Sequence, residues 1–129
     1  MKSNLDVIKA LYLTFKEKDY DAFRKLCHDD ISWHQNPGFP KGSSYVGADE
    51  VITNVFKAFN NDWVSWIFSI QEYYEAPNAI IVTGVYEGTH RATGKPFVSE
   101  AAHVYSFKDG KISSFQQYAD TKTIWDAMV

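Results

Sequence analysis

Four side chains, three of them polar, fall at alternate positions of two strand-like runs near the end of the chain. His103 and Tyr105 are two residues apart in the first run, and Phe115 and Gln117 are two apart in the second. Because alternate residues of a strand point to the same side, each pair shares one face. Among these groups, only the His103 imidazole titrates near neutral pH, so it could accept a proton or hydrogen-bond a carbonyl.

The turn between the two runs decides whether these pairs share a face. Lys108-Asp109-Gly110 has the composition of a three-residue hairpin loop with a left-handed glycine bulge. That loop predicts His103 opposite Phe115 and places the odd-numbered residues of both strands together, whereas a two-residue Asp-Gly turn would break this set. The predicted face contains Ser99, Ala101, His103, Tyr105, Phe107, Phe115, Gln117 and Ala119. The preceding turn around Thr93-Gly94 allows two registers, and the sequence does not decide between them.

A third strand-like run, residues 31–35, adds Trp33 and Gln35 on one face. Aromatic rings with a few polar groups are typical of a small-molecule pocket, in which ring area provides affinity and polar groups fix orientation. Rings around His103 would lower its pKa and keep it neutral at pH 7. Three roles for His103 remain open: acid-base catalysis, ligand binding without chemistry, and a structural hydrogen bond to Gln117 or the backbone.

Other chemistries find little support in the sequence. Cys27 lies in a helical pattern between Leu26 and His28 and is expected to be a buried structural thiol. The four histidines fall on different predicted elements without paired ligand spacing, so no metal site and no cofactor are expected. A formal charge of -3 and a pI near 5.7 argue against nucleic-acid binding.

The elements that must position these groups follow from hydrophobic periodicity. A chain of 129 residues predicts a single domain over 1–129. Helical spacing is found over 4–18, from Ala22 to Cys27, and over 48–60, and Asp120 can cap a last helix over 121–128. Strands are predicted over 31–35, 64–75, 79–90, 97–107 and 112–119. The loop over 36–47 carries Phe39 and Tyr45, which could cover the pocket. The order predicts an α+β domain with helices on one face of a curved antiparallel sheet.

The first residues, Met-Lys-Ser-Asn-Leu-Asp, do not have the pattern of a signal peptide, and no run of about 18 apolar residues is present. A cytoplasmic protein without membrane contact is therefore expected.

This order of elements, with four short segments, resembles the SnoaL-like branch of the nuclear-transport-factor-2-like superfamily over the whole chain. The segments are Lys18-Asp19-Tyr20-Asp21-Ala22-Phe23, Asp29-Asp30-Ile31-Ser32-Trp33, Gly47-Ala48-Asp49-Glu50-Val51 and Phe107-Lys108-Asp109-Gly110-Lys111-Ile112. The resemblance implies a cone-shaped domain in which a bent sheet wraps a long helix around a deep pocket. Its members include ketosteroid isomerases, polyketide cyclases, epoxide hydrolases, dehydratases and binding domains, so fold alone gives no function.

The catalytic residues of these relatives are mostly not matched. The base aspartate of ketosteroid isomerases falls at Gln35 or Asn36, and their oxyanion-hole aspartate falls at His103. Their oxyanion tyrosine falls at Leu11, with Tyr12 one position away and so about 100° round the helix. The base aspartate of the cyclases falls at Gln117. Neither activity is therefore transferred.

Two hypotheses of function remain. The first is a pocket that binds a small, largely apolar or cyclic molecule, lined by Trp33, Gln35, Tyr105, Phe115, Gln117 and Tyr12. The alternative is an isomerase, dehydratase, cyclase or hydrolase that uses His103 as acid-base. A homodimer through the outer sheet face is also predicted, because that face mixes Val98, Val104, Ile112 and Tyr118 with polar residues.

Overall fold

The computed structural model describes residues 3–129 and confirms the α+β class. The helices are α1 (Asn4–Glu17), α2 (Tyr20–Leu26), α3 (Ala48–Val51), a π-helical segment (Ile52–Phe56), α4 (Lys57–Asp62) and α5 (Thr121–Ala127). The strands are β1 (Cys27–His34), β2 (Ser44–Val46), β3 (Trp63–Ala76), β4 (Ala79–His90), β5 (Pro96–Lys108) and β6 (Lys111–Ala119). α3, the π-helical segment and α4 form one continuous helical stretch.

The strands form a single six-stranded sheet in the order β2-β1-β6-β5-β4-β3. Two details differ from the sequence prediction. The sheet is mixed, because β1 and β6 run parallel while the other neighbours are antiparallel. The predicted loop over 36–47 contains the short strand β2, which pairs with the end of β1.

The predicted β5–β6 register is wrong by two residues, although the predicted face is largely right. His103 pairs with Gln117 and Tyr105 with Phe115. Asp109 and Gly110 both have positive φ and form a two-residue turn that pairs Phe107 with Ile112. An irregularity between Ser106 and Phe107 then restores the pairing of odd with odd and even with even positions, as in Tyr105 opposite Phe115.

Because of this local shift, the prediction that Ile112 lies on the outer face is wrong. Ile112 is fully buried, whereas Val98 and Tyr118 are exposed as predicted. The prediction that Cys27 lies in a helix is also wrong. Cys27 begins β1 opposite Ile112 and is buried there, because pairing with β6 replaces a further helical turn.

The main core lies between α1, the helical stretch over 48–62 and the inner face of the sheet. The α1 side chains Val7, Ile8 and Leu11 pack into one cluster with strand residues such as Ile80 and Val82. A smaller cluster joins α5 to Phe39 and to residues of β3, β4 and β5. Among residues 3–129, no helix is long and apolar enough to cross a membrane.

Candidate ligand-binding site

A small cavity of about 50 Å³, here called the inner cavity, lies between α1, the helical stretch over 48–62 and the sheet. Its walls are almost entirely aromatic and aliphatic. The lining residues are Leu11, Tyr12, Phe15, Trp33, Gln35, Val55, Phe56, Phe59, Trp66, Phe68, Tyr86, His103, Tyr105 and Phe115. Two of them, Val55 and Phe56, come from the π-helical segment, a feature found frequently at functional sites.

A continuous chain of hydrogen bonds forms the polar part of this wall. The Tyr12 hydroxyl lies 2.6 Å from His103 Nδ1, and the Tyr86 hydroxyl lies 2.5 Å from His103 Nε2. The Tyr105 hydroxyl donates to the Tyr12 hydroxyl at 2.9 Å. Gln117 Nε2 donates to the Tyr86 hydroxyl at 2.9 Å. We call Tyr12, Tyr86, Tyr105, His103 and Gln117 the polar chain.

Burial keeps the titratable members of the polar chain neutral at physiological pH. Desolvation lowers the pKa of His103 to about 3, because the charged imidazolium would lose its hydration. Desolvation likewise raises the pKa of Tyr12, Tyr86 and Tyr105, because each phenolate would be poorly solvated. The inner cavity is thus lined by uncharged donors and acceptors.

Ring packing fixes the orientation of the imidazole. The Phe68 ring stacks on His103 with a centroid distance of 4.4 Å. Gly84 on β4 leaves room for this ring, since a Cβ at Gly84 would lie 2.6 Å from the Phe68 ring and 2.5 Å from the Ser69 carbonyl oxygen. Phe115 meets the same imidazole edge-on, with a centroid distance of 5.0 Å, and stacks on Trp33 at 3.8 Å. The aromatic side chains therefore hold the polar chain in one arrangement.

Comparison with known proteins identifies the family. The family model of the SnoaL-like domain matches residues 8–115. The chain belongs to the SnoaL-like family. A nuclear-transport-factor-2-like protein from Burkholderia thailandensis E264 is 32% identical over 100% of this chain and 99% of its own, with a TM-score of 0.95. The predicted resemblance is confirmed.

Two more distant structures share the fold of this SnoaL-like protein. TerC, co-crystallised with polyporic acid, is 20% identical over 97% of each chain with a TM-score of 0.85. IdmH from Streptomyces antibioticus, a candidate polyketide cyclase, is 19% identical over 98% of this chain and 99% of its own, with a TM-score of 0.81. No curated protein matches the chain.

The structure brings most of the sequence-predicted site residues of this SnoaL-like protein together. Trp33, Gln35, Tyr12, His103, Tyr105 and Phe115 line the inner cavity. Gln117 stands behind that wall: its Nε2 supports Tyr86, and its Oε1 accepts from the Asn36 backbone at 3.1 Å. Leu11 and Tyr12 both reach the cavity, although they are adjacent on α1.

Sequence reasoning missed Tyr86, Phe68 and Trp66, which come from β3 and β4. Tyr86 pairs with Ser99 in β5 and so shares the face of His103. That pairing follows from the register of the Thr93-Gly94 hairpin, which the sequence left open. The sequence did show an aromatic residue at position 86 of a predicted strand, but without the register nothing indicated which face of the sheet it occupies.

The loop over 36–47 covers the site through Phe39 alone. Phe39 is buried and contacts the rings of Phe59, Trp66 and Tyr86. Tyr45 instead lies on β2, where its hydroxyl donates to the Lys41 carbonyl. Tyr45 is not part of the inner cavity lining.

A second space of about 260 Å³, here called the outer cleft, adjoins the inner cavity. Gln35, Val55 and Phe59 line both spaces, so they form the boundary between them. The outer cleft also contains Phe39, Pro40, Lys41, Asn54, Ala58, Asp62, Trp63, Trp125 and Met128. Within residues 3–129, no group of three or more His, Cys, Asp or Glu side chains is arranged to hold a metal ion.

Proposed function

We propose that this SnoaL-like protein binds a small, uncharged, largely apolar ring compound in the inner cavity. The observation that carries the proposal is the polar chain, five neutral hydrogen-bonding side chains set against a wall of aromatic rings. Ring surface would supply affinity, while the polar chain would fix the orientation of the ligand. A charged ligand is disfavoured, because the lining offers no opposite charge to compensate its desolvation.

Counting hydrogens in the polar chain indicates which polar group the ligand carries. Tyr12, Tyr86 and Tyr105 each have one hydroxyl hydrogen, and the neutral imidazole has one N–H. Only three hydrogen bonds join these four groups. Gln117 cannot take up a further hydrogen from Tyr86, because its Oε1 faces the Asn36 N–H and its Nε2 is itself the donor.

One hydrogen is therefore left over whichever imidazole nitrogen carries the proton. Among residues 3–129, no other acceptor contacts these hydroxyl groups. All three phenols line the inner cavity, so the extra hydrogen can be donated to a ligand there. A ligand with a hydrogen-bond acceptor such as a ketone oxygen would complete the set, which supports an acceptor-bearing ring compound.

The same geometry disfavours the alternative hypothesis, catalysis by His103 as acid-base. A pKa of about 3 makes His103 a weak base near pH 7, and both of its nitrogens already face phenol oxygens. The side chains that line the inner cavity include no carboxylate that could replace it. Binding without proton transfer is the better match to these groups.

The fold neighbours are compatible with a small organic ligand. TerC was co-crystallised with polyporic acid, and IdmH is a candidate polyketide cyclase. At their levels of identity, they support the use of this fold for organic ligands and not a particular compound.

A ring ligand requires movement of a side chain, because the inner cavity is smaller than the roughly 150 Å³ that holds benzene in an engineered cavity. Phe59 is the side chain placed to move. It is half-buried, stacks on Trp66 at 4.4 Å, and borders the larger outer cleft. Rotation of Phe59 into the outer cleft would enlarge the inner cavity without disturbing the polar chain.

The test compares tetralin with 1-tetralone, which differ by a ketone oxygen. Two-dimensional NMR and calorimetric titrations should show both compounds perturbing residues around the inner cavity, with 1-tetralone binding about fivefold tighter through one hydrogen bond. Val98→Ser, on the exposed outer face, should leave both affinities unchanged. Absence of shifts at the inner cavity with millimolar compound would overturn the proposal.

The catalytic alternative is tested separately by screening hydrophobic ketones and epoxides for turnover. Turnover that disappears in His103→Gln, with binding of tetralin retained, would favour the alternative. Turnover that is undiminished in that variant would remove His103 from any mechanism.

A further inference from the structure

The amide of Gln35 stands at the boundary between the inner cavity and the outer cleft. Gln35 is only 6% exposed, and the accessible surface that it keeps borders these two spaces. Its Oε1 lies 3.0 Å from Trp33 Nε1. Because an indole N–H can only donate, the atom that faces it must be the amide oxygen, and the NH₂ group must point away.

Among residues 3–129, the one side-chain hydrogen bond of Gln35 is the bond that its Oε1 accepts from Trp33, so the NH₂ group donates to no protein acceptor. Among the described residues, Gln35 Nε2 is not one of the fully buried side-chain atoms that lack a partner, so it keeps accessible surface. The group remains in contact with the two spaces that it borders, and a ligand acceptor placed between them would satisfy it. This second unused donor is separate from the extra hydrogen of the polar chain.

The walls of the outer cleft suit a second apolar group. Phe39, Pro40, Trp63 and Met128 contribute apolar surface, and Trp125 is held in place by donation from Nε1 to the Gly38 carbonyl at 2.6 Å. The charged groups at its edge, Lys41 and Asp62, pair with each other at 2.7 Å. The outer cleft therefore requires no charge from a ligand.

We infer that the inner cavity and the outer cleft are two halves of one binding site for an elongated, uncharged ligand with two apolar ring systems joined through a carbonyl-bearing linker. The first ring system occupies the inner cavity, and the carbonyl oxygen accepts from the Gln35 NH₂ group. The second ring system lies in the outer cleft against Trp125 and Met128. Gln35 is thus a specificity-determining residue, and this inference rests on the proposed binding function of the inner cavity.

The test uses chalcone, two phenyl rings joined through an enone, and 1,3-diphenylpropene, which lacks the ketone oxygen. Wild-type protein should bind chalcone about fivefold tighter, as expected for one hydrogen bond. Gln35→Leu should abolish this preference and still bind 1,3-diphenylpropene. Gln71→Leu, the same change at an exposed position of β3, should keep it.

A second variant tests the outer cleft without altering Gln35. Ala58→Phe places a ring in the outer cleft, at a position that does not line the inner cavity. It should weaken chalcone about tenfold and leave 1-tetralone unchanged. Chalcone should also quench or shift the fluorescence of Trp125, measured as the difference from Trp125→Phe.

The outcomes separate this inference from the proposed function. If 1-tetralone binds at the inner cavity but the chalcone preference survives Gln35→Leu, or Ala58→Phe leaves chalcone binding intact, the two-part site is wrong and the inner cavity stands. If no probe perturbs the inner cavity, the proposed function itself is wrong and this inference fails with it.

Discussion

The Tyr86 hydroxyl and His103 Nε2 lie 2.5 Å apart and join strands β4 and β5 inside the sheet. This contact, together with Tyr12 at Nδ1, gives both ring nitrogens of a buried imidazole a neutral partner. Among residues 3–129, no carboxylate is bonded to the ring to stabilise a positive charge. The arrangement therefore stabilises neutral histidine, which has a consequence for the pH dependence of folding.

Protonation of His103 should destabilise the folded protein as the pH falls from about 6.5 to about 3. The folded-state pKa of about 3 lies below the ordinary value of 6.5, so the unfolded state binds more protons in this window. The loss reaches on the order of 4 kcal/mol if the whole window is crossed. Urea denaturation at a series of pH values should show a steeper decline for wild-type protein than for His103→Gln. Equal slopes would contradict this prediction.

Gly84→Ala should disturb the inner cavity by displacing Phe68 from His103. The new methyl group would meet the Ser69 carbonyl oxygen at 2.5 Å and the Phe68 ring at 2.6 Å, and the carbonyl belongs to a paired strand that moves little. We expect a loss of about 1–3 kcal/mol in the free energy of unfolding and altered NMR shifts for His103. Glu87→Ala, at an exposed position of the same strand, is the control, and it should leave the His103 shifts unchanged.

The face that carries His103, Tyr105 and Phe115 could be predicted from the sequence, although the turn that produces it could not. Side chains alternate between the two faces of a strand. Which residues of β5 and β6 share a face therefore depends only on whether the turn and any bulge shift the pairing by an odd or an even number of residues. The extra residue was expected at Gly110, but the irregularity lies beyond the Phe107–Ile112 pair. The parity was therefore right, while the register and the placement of Ile112 were wrong.

The missing half of the cavity wall depends on long-range pairing that one sequence does not reveal. Tyr86 reaches His103 only because the Thr93-Gly94 hairpin adopts one of two allowed registers. Phe68 reaches it because Gly84 leaves space and an irregularity between Ile70 and Glu72 resets the alternation of β3. The cavity volume was likewise beyond prediction, because it is what remains after these rings have packed.

The thiol of Cys27 should be unreactive in the folded protein. Desolvation raises its pKa to about 12, and the side chain is buried against the core at the start of β1. A thiol-specific reagent such as dithionitrobenzoate at pH 8 should react fully in urea and negligibly without it. Rapid reaction of the native protein would place Cys27 in a local opening of β1.

Two copies of the chain are predicted to pair through the outer sheet face. Val98, Tyr118 and Ile67 are each more than half exposed on strands of this sheet. Light scattering at micromolar concentration should report a dimer, and Val98→Glu should shift it toward monomer. Leu13→Glu makes the same kind of change at an exposed position of α1 and should not. A monomer at all accessible concentrations would contradict the prediction.

Phe59→Ala should accelerate ligand entry, because Phe59 forms part of the boundary between the inner cavity and the outer cleft. Under the proposed function, a ring compound enters the wild-type protein only after Phe59 leaves its stack on Trp66. Removing the ring eliminates that step, so stopped-flow fluorescence should show faster association of 1-tetralone. The free energy of unfolding should fall by about 2 kcal/mol, less than for a fully buried phenylalanine.

Phe15→Ala is the matched control, because Phe15 lines the inner cavity without bordering the outer cleft. It adds space behind the boundary and should change affinity without changing the association rate. If both variants accelerate association equally, extra space and not the boundary ring controls entry.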